Sequence, residues 1–132
     1  MAKKIFTYRG KTLEELKELS LKDLAELLPA RQRRKIQRGF KESEKIFLQK
    51  VREYQAGKRK KPVKTHCRHM IVLPEMVGAT IMIHKGKGYE TITVTEDMIG
   101  HYLGEFALTR SSVRHSAPGI GATRASASAS LK

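Results

Sequence analysis

Two short apolar segments that alternate with polar residues flank a glycine-rich turn between Thr80 and Arg110, and this pattern constrains the fold most. The first segment carries Ile81 and Ile83 on one face. The turn, Lys-Gly-Lys-Gly at 85–88, contains residues that accept a positive φ, so the stretch predicts a β-hairpin. Because an isolated hairpin is only marginally stable, another strand or a helix must cover its isoleucine face.

The turn also sets the register of the predicted hairpin. A loop of either two or four residues places His84 opposite Tyr89 and Ile81 opposite Ile92. The second segment then presents Ile92 and Val94 on the same face as Ile81 and Ile83. The hairpin therefore has one apolar face, and the rest of the chain must supply what packs against it.

A short helical turn is predicted directly after the hairpin. Thr95 is a candidate N-cap, and Glu96 and Asp97 follow in the first turn, where a helix dipole favours carboxylates. Gly100 is placed to end that turn, and Gly104 interrupts the chain again. We therefore expect this run to form several consecutive turns and not one amphipathic helix.

Two segments before the hairpin can complete a small domain. A helix from about residue 43 to 55 has Phe47, Val51 and Tyr54 on one face, and we expect it to cover the sheet. The alternating residues 63–67 are a candidate third strand. The predicted fold class is α+β, a small two-layer domain of one helix on a three-stranded mixed sheet.

The first forty residues predict a helical extension. Thr12 and Glu15 have the spacing of a capping box, and Ser20 with Asp23 repeats the signal before Pro29 closes the apolar stripe. We interpret this region as a helical hairpin or a bent helix that packs as an appendage. The predicted division is a helical, increasingly basic N-terminal extension (1–40), an α+β core (41–110) and a flexible basic C-terminal tail (111–132).

The charge of the chain points to a polyanionic partner. It has 27 Lys and Arg against 13 Asp and Glu, a net charge of +14 and a pI near 10.2. The excess is concentrated, because residues 29–69 hold 15 bases and 3 acids, whereas residues 70–110 hold 3 bases and 5 acids. The predicted core is therefore slightly acidic, and the basic block lies before it.

The densest basic run lies between residues 30 and 40 and contains no acid of its own to offset its charges. We expect its five bases to wrap around a helix instead of forming one stripe, and to contact RNA or DNA. These bases are Arg31, Arg33, Arg34, Lys35 and Arg38.

Other site chemistries find little support in the sequence. The group His66, Cys67 and His69 lacks the second ligand pair of a structural zinc site, so we predict no metal and no other cofactor. Glu96, Asp97 and His101 could form an acid–base set. Carboxylates at a helix start more often stabilise the start of the helix than act as general acids or bases, so we predict no catalytic role for this set. A single cysteine excludes an intramolecular disulfide and fits a reducing compartment.

No membrane association is expected from this sequence. Its start lacks the apolar run of a signal peptide. The most apolar region, residues 70–83, is interrupted by Pro74, Glu75 and Gly78 well before the roughly 20 residues that a bilayer requires.

Two long runs of this sequence match the pattern of a known family. The run KTHCRHMIVLPEMVGATIMIHKGKG, followed by VTEDMIGHYLGEFALTR, resembles the core of the universal small-subunit ribosomal protein S-nineteen family. The flanking TYRG, ARQRR and PGIGAT, with the tyrosine of GHYLGEF, are similar to the archaeal and eukaryotic branch, whose eukaryotic member is called S-fifteen. The chain departs from related sequences at Lys85, Leu108 and Ser116-Ala117. Related tails tend to carry a base at the last of these positions, so a contact of the tail at that point is not expected to be the same.

The resemblance implies a structural constituent of the cytoplasmic small ribosomal subunit that is not a homo-oligomer. It implies binding to ribosomal RNA in the subunit head, beside ribosomal protein S-thirteen and other head proteins, near the aminoacyl tRNA site. It also implies that the tail extends toward the decoding site and tRNA. Candidate RNA-binding residues are bases and histidines, namely Arg31, Arg33, Arg34, Lys35, Arg38, Lys58, Arg59, Lys60, Lys61, Lys64, Arg68, His69, Lys85, Lys87, His101, Arg110, Arg114, His115 and Arg124.

Two other function classes remain open at this point. A free-standing basic protein could bind duplex DNA, with residues 30–38 as a helix in the groove. An enzyme is the third hypothesis, and loss of turnover on mutating His101 would be its signature.

Overall fold

The computed structural model describes residues 5–113 and confirms the α+β fold class. The strands are β1 (Thr7–Tyr8), β2 (Lys11–Thr12), β3 (Val63–Thr65), β4 (Thr80–His84) and β5 (Tyr89–Thr93). The helices are α1 (Leu13–Glu18), α2 (Leu21–Leu27), α3 (Ala30–Arg38) and α4 (Glu42–Gln55). Three 3-10 turns cover Pro74–Met76, Glu96–Met98 and Leu103–Phe106.

The predicted hairpin forms with the predicted register. Strand β4 pairs antiparallel with β5, so that Ile81 lies opposite Ile92 and His84 opposite Tyr89. The reversal depends on Gly86, whose φ is +102° and is therefore available to glycine at little cost. Strand β3 adds parallel to the other side of β4, which gives the predicted three-stranded mixed sheet in the order β3-β4-β5.

Helix α4 covers one face of this sheet, as predicted. Phe47 and Val51 are buried in the common core, and Tyr54 is half-buried at its edge. The covered face of β4 carries Ile81 and Ile83, which are both fully buried. The α4 helix and the sheet are thus the two layers of the domain, and on the opposite face of the sheet Lys64 and Thr91 are exposed and Met82 is half-buried.

The N-terminal region forms two short helices whose starts were predicted correctly. Thr12 and Glu15 form the capping box of α1, with Thr12 N donating to Glu15 Oε2 at 2.9 Å. Ser20 Oγ accepts the backbone N–H of Asp23 at the start of α2. Leu16 belongs to the same buried cluster as the sheet, so these helices share one core with it. The division at residues 40 and 110 stays a prediction.

Two local features differ from the sequence analysis. Strands β1 and β2 form a small hairpin that was missed, since strands of two residues show no periodicity. Arg9 (φ +52°) and Gly10 (φ +80°) make its turn. Thr95 is the N-cap residue of the next turn, as predicted, but no side-chain hydrogen bond forms there, and its backbone carbonyl accepts from Met98 N at 3.2 Å.

The buried residues 70–73 before the hairpin form an extended segment, which pairs with the turns at residues 100–103 after the hairpin. Val72 N donates to the carbonyl of His101 at 2.8 Å, and Leu103 N donates to the carbonyl of Met70 at 2.9 Å. Gly100 has φ +83°, and a Cβ there would lie 2.9 Å from Leu28 Cδ2, so this position requires glycine. None of the helices described is long and apolar enough to cross a membrane.

Candidate nucleic-acid interface

Four of the bases on α3 lie on one side of the helix and line a concave surface, which we call the basic groove. Segments 68–69 and Tyr102 form the opposite wall. The groove encloses about 730 Å³. Its lining residues are Ala30, Arg31, Arg34, Lys35, Arg38, Arg68, His69 and Tyr102.

The prediction that the five bases wrap around α3 is therefore wrong. Successive residues on an α-helix are rotated by about 100°, which keeps positions 31, 34, 35 and 38 within roughly a 100° arc. Arg33 falls on the other side of the helix by the same geometry. The side chains of α3 thus separate into a groove-facing set and one arginine that points back to α2.

Arg33 closes the C-terminal end of α2. Its Nε donates to the carbonyl of Ala25, and its Nη2 donates to the carbonyls of Glu26 and Leu28, each at 3.2 Å. The last carbonyls of a helix have no partner within the helix and carry its partial negative charge, so a guanidinium is well suited to this position. Arg33 thereby connects α3 to α2 across Pro29.

Arg68 connects the end of the hairpin to the last 3-10 turn. Its Nη1 donates to the carbonyl of His84 at 2.7 Å, and its Nη2 donates to the carbonyls of Gly104 at 2.9 Å and Ala107 at 2.5 Å. A Cβ at Gly104 would lie 3.1 Å from the Arg68 carbonyl, so glycine permits this close approach. We call Arg33 and Arg68 the arginine joints, since both bind backbone carbonyls of the chain itself.

A buried carboxylate lies beneath the basic groove. Glu44 is fully buried, and its Oε1 contacts Lys35 Nζ at 2.5 Å and His69 Nε2 at 2.9 Å. Its Oε2 accepts the backbone N–H of Lys41 at 2.7 Å. Burial by itself would raise the pKa of this carboxyl, but these hydrogen bonds and the charges of Lys35 and His69 outweigh burial and lower it. Glu44 therefore holds two groove residues in place.

The remaining groove cations are not neutralised in this way. Among residues 5–113, no salt bridge involves Arg31, Arg34 or Arg38. Three guanidiniums that face one open concavity without carboxylates repel one another in the free protein. Phosphate groups bound in the groove would relieve this repulsion and accept bidentate hydrogen bonds.

The other predicted RNA-binding residues are spread over the surface. Arg59 and Lys60, from the loop that joins α4 to β3, line a second concavity with Lys17 and Tyr54. Lys58 and Lys61 belong to the same loop and are exposed. Arg114, His115 and Arg124 lie outside the described residues.

The hairpin and the segment after it hold the other candidates. Lys64 Nζ lies over the Tyr89 ring, 5.2 Å from its centroid. Lys85 Nζ is bonded to Glu90 Oε2 at 2.6 Å, whereas Lys87 and Arg110 are exposed.

The acid–base and metal sets considered above are not brought together. His101 Nδ1 lies 2.7 Å from Glu105 Oε2, four residues further on, rather than against the carboxylates at 96 and 97. His66 contacts His84 and Tyr89, while His69 contacts Glu44. Within the described part of the chain, no three His, Cys, Asp or Glu residues are grouped to hold a metal ion.

The sequence analysis missed Glu44 beneath the groove and Tyr102 in its wall. Glu44 gives no local signal of its role, because it meets Lys35 only after the chain bends at Gly39, where φ is +84°. Tyr102 reaches the groove through its pairing with Ile71, which joins segments that are distant in sequence. The tyrosine of GHYLGEF was noted as part of the resemblance and could have been added to the candidates on that ground.

Comparison with known proteins identifies close relatives of this chain. A family model described as Ribosomal protein S19 matches residues 34–115, which include the second half of α3, all of α4 and the whole three-stranded sheet. The chain is also 55% identical over 130 residues to the small ribosomal subunit protein uS19 of Methanocella arvoryzae. That alignment covers 98% of this chain and 89% of the relative.

Proposed function

This chain belongs to the ribosomal protein S19 family, and from that premise we propose that it is a structural constituent of the small ribosomal subunit that binds ribosomal RNA. We further propose that it binds in the head of the subunit, near the aminoacyl tRNA site, and acts there during translation in the cytoplasm. The family assignment supports the ribosomal role. The position in the head and the tRNA proximity rest on the family resemblance described above.

The basic groove is the observation that supports RNA binding most directly. Arg31, Arg34 and Arg38 face it without a carboxylate partner among the described residues. Arginine donates two parallel hydrogen bonds to a phosphate, and phosphate contacts of this kind make up much of protein–nucleic acid binding. Binding of this kind positions the protein on RNA without reading the base sequence.

The partners of the protein follow from the same premise. We propose ribosomal protein S-thirteen and other head proteins as neighbours, and tRNA as a contact of the residues after 110. The tail sequence has three bases and no acid from residue 111 onward, which supports contact with a nucleic acid. We propose no catalytic activity, and the pairing of His101 with Glu105 is consistent with a structural role.

Sedimentation tests the proposal against the DNA-binding alternative. A lysate that contains the tagged full-length chain is separated on sucrose gradients before and after a moderate salt wash. We expect the protein to stay with the small subunit in both gradients, because many simultaneous contacts hold a ribosomal component. Migration with chromatin, or release from the subunit at moderate salt, would contradict the proposed function.

A further inference from the structure

Three rings meet on the side of the sheet that α4 does not cover, and we call His66, His84 and Tyr89 the ring cluster. Thr65 is paired with Ile83 in the parallel register, so the residues that follow them come side by side. The hairpin register places Tyr89 opposite His84. Sheet topology alone therefore brings together residues that are up to 23 positions apart in sequence.

The rings are in mutual contact. The centroids of His66 and His84 are 4.3 Å apart, and those of His84 and Tyr89 are 5.2 Å apart, both with edge-on geometry. His66 stacks with Tyr89 at 5.6 Å, and His66 Nε2 lies 2.9 Å from the tyrosine hydroxyl. This arrangement holds the rings in defined positions and reduces the entropy that each would lose on binding a ligand.

The ring cluster is not part of the core. Thr65 and Ile83, the neighbours of His66 and His84 along the strands, are buried on the opposite face. His66 is exposed, and His84 and Tyr89 are half-buried. The described chain thus builds a cluster of aromatic rings and leaves it open to solvent.

The surroundings of the cluster are basic. Lys64 Nζ lies 5.2 Å from the centroid of the Tyr89 ring, and Lys87 is exposed in the adjoining turn. Residues 58–69 contain no acid at all. The nearest ion pair of the hairpin joins Lys85 to Glu90, which is paired with Ile83 and so belongs to the covered face. A ligand of this face meets rings and positive charge.

We propose that the ring cluster is a stacking site for an unpaired RNA base, with Lys64 beside the phosphate of that nucleotide. The inference rests on the proposed function and adds a second type of contact to it. RNA-binding proteins recognise unpaired bases by stacking them on aromatic side chains, often on an open sheet. The positive charge favours a nucleic acid.

Binding of the full chain to a small-subunit ribosomal RNA transcript at several salt concentrations tests the proposal. We expect Tyr89→Leu and His66→Leu to weaken binding about tenfold each, since one lost stacking contact has roughly this effect. The slope of log affinity against log salt should stay unchanged, because neither variant removes a lysine or an arginine. Tyr89→Phe retains the ring and should bind within about threefold of the wild type.

Two comparisons control this experiment. Thr91→Ala alters the same face of the sheet without touching the rings, and should bind as the wild type does. The variant Arg31→Gln/Arg34→Gln/Arg38→Gln should instead lower the salt slope. If this triple variant loses affinity while Tyr89→Leu and His66→Leu do not, the ring-cluster proposal fails and RNA binding through the groove stands. If none of them changes binding, the proposed function fails as well.

Ultraviolet cross-linking of purified small subunits gives a second readout that does not depend on the leucine variants folding. Irradiation without an added cross-linker joins only groups in direct contact. We expect a nucleotide adduct on Tyr89 or His66, detected by mass spectrometry of the digested subunit. Cross-linking of these residues to another protein, or adducts confined to the groove, would overturn the proposal.

Discussion

The basic groove and the arginine joints use the same residue type for opposite purposes. In the groove, the guanidiniums of Arg31, Arg34 and Arg38 face open space. At the joints, Arg33 and Arg68 each donate to three backbone carbonyls of the chain itself. The comparison teaches that net charge does not measure the capacity to bind RNA, since part of the charge is used to hold the fold together.

The difference between the two regions predicts a separation of phenotypes. Loss of a joint should lower stability and leave the salt dependence of RNA binding intact. Loss of groove cations should lower the salt dependence and leave stability intact, with two exceptions. Lys35 is tied to the buried Glu44, and Arg68 lines the groove but is itself one of the joints. The effects on stability are expected to differ in size, and the largest concerns Arg68.

Arg68→Met should lower the free energy of unfolding by about 3 kcal/mol, because it leaves three backbone carbonyls without their charged donor. Urea denaturation of the free protein measures this change. Arg34→Met is the matched control, since it removes the same groups from the groove, and should stay within about 0.5 kcal/mol of the wild type. Equal losses for the two variants would remove the distinction between joint and groove.

Glu44→Gln should destabilise the protein by about 2 kcal/mol at neutral pH, because the carboxylate is buried against Lys35 and His69. The lowered pKa of Glu44 sets the pH dependence of this effect. A lowered pKa means that its stabilisation is complete above the ordinary value of 4.5 and is lost as the pH falls through the folded value.

The difference in unfolding free energy between wild type and Glu44→Gln should therefore be full at pH 6 and should shrink as the pH falls below 4.5. Urea denaturation of the two proteins at a series of pH values measures this difference. A difference that does not shrink below pH 4.5 would show that the charge of Glu44 contributes nothing, and that only its shape matters.

Arg33→Gln should lower the free energy of unfolding by about 1 kcal/mol, since a charged side chain that closes a helix end near the surface contributes about this much. Thermal unfolding checks this value. Arg34→Gln, one position later on the same helix, should melt as the wild type does. A lower melting temperature for Arg34→Gln than for Arg33→Gln would reverse our assignment of the two arginines.

Local signals made most of the fold predictable. The hairpin register followed from Gly86 and the alternation of Ile81 and Ile83, and the starts of α1 and α2 followed from cap residues. These signals work because turn geometry, side-chain alternation and capping depend on residues within a few positions of one another. The β1–β2 hairpin escaped because its strands are too short to show a period.

The candidate site was less predictable, for a physical reason. The basic composition of α3 was plain, and helical rotation alone separates Arg33 from the other bases, but the carbonyls that Arg33 contacts depend on where α2 ends. The position of Glu44 depends on the bend at Gly39, and the ring cluster depends on sheet register. Contacts between distant elements decide which charges are free, and composition does not record them.

Our account holds that the groove cations neutralise phosphates and that the joint residue Arg33 does not. The salt dependence of binding to small-subunit ribosomal RNA tests this most directly. Each lost phosphate contact should reduce the slope of log affinity against log salt by about one unit. We predict a reduction of about three units for Arg31→Gln/Arg34→Gln/Arg38→Gln and no change for Arg33→Gln. An unchanged slope for the triple variant, or an equal reduction per arginine for Arg33→Gln, would contradict this account.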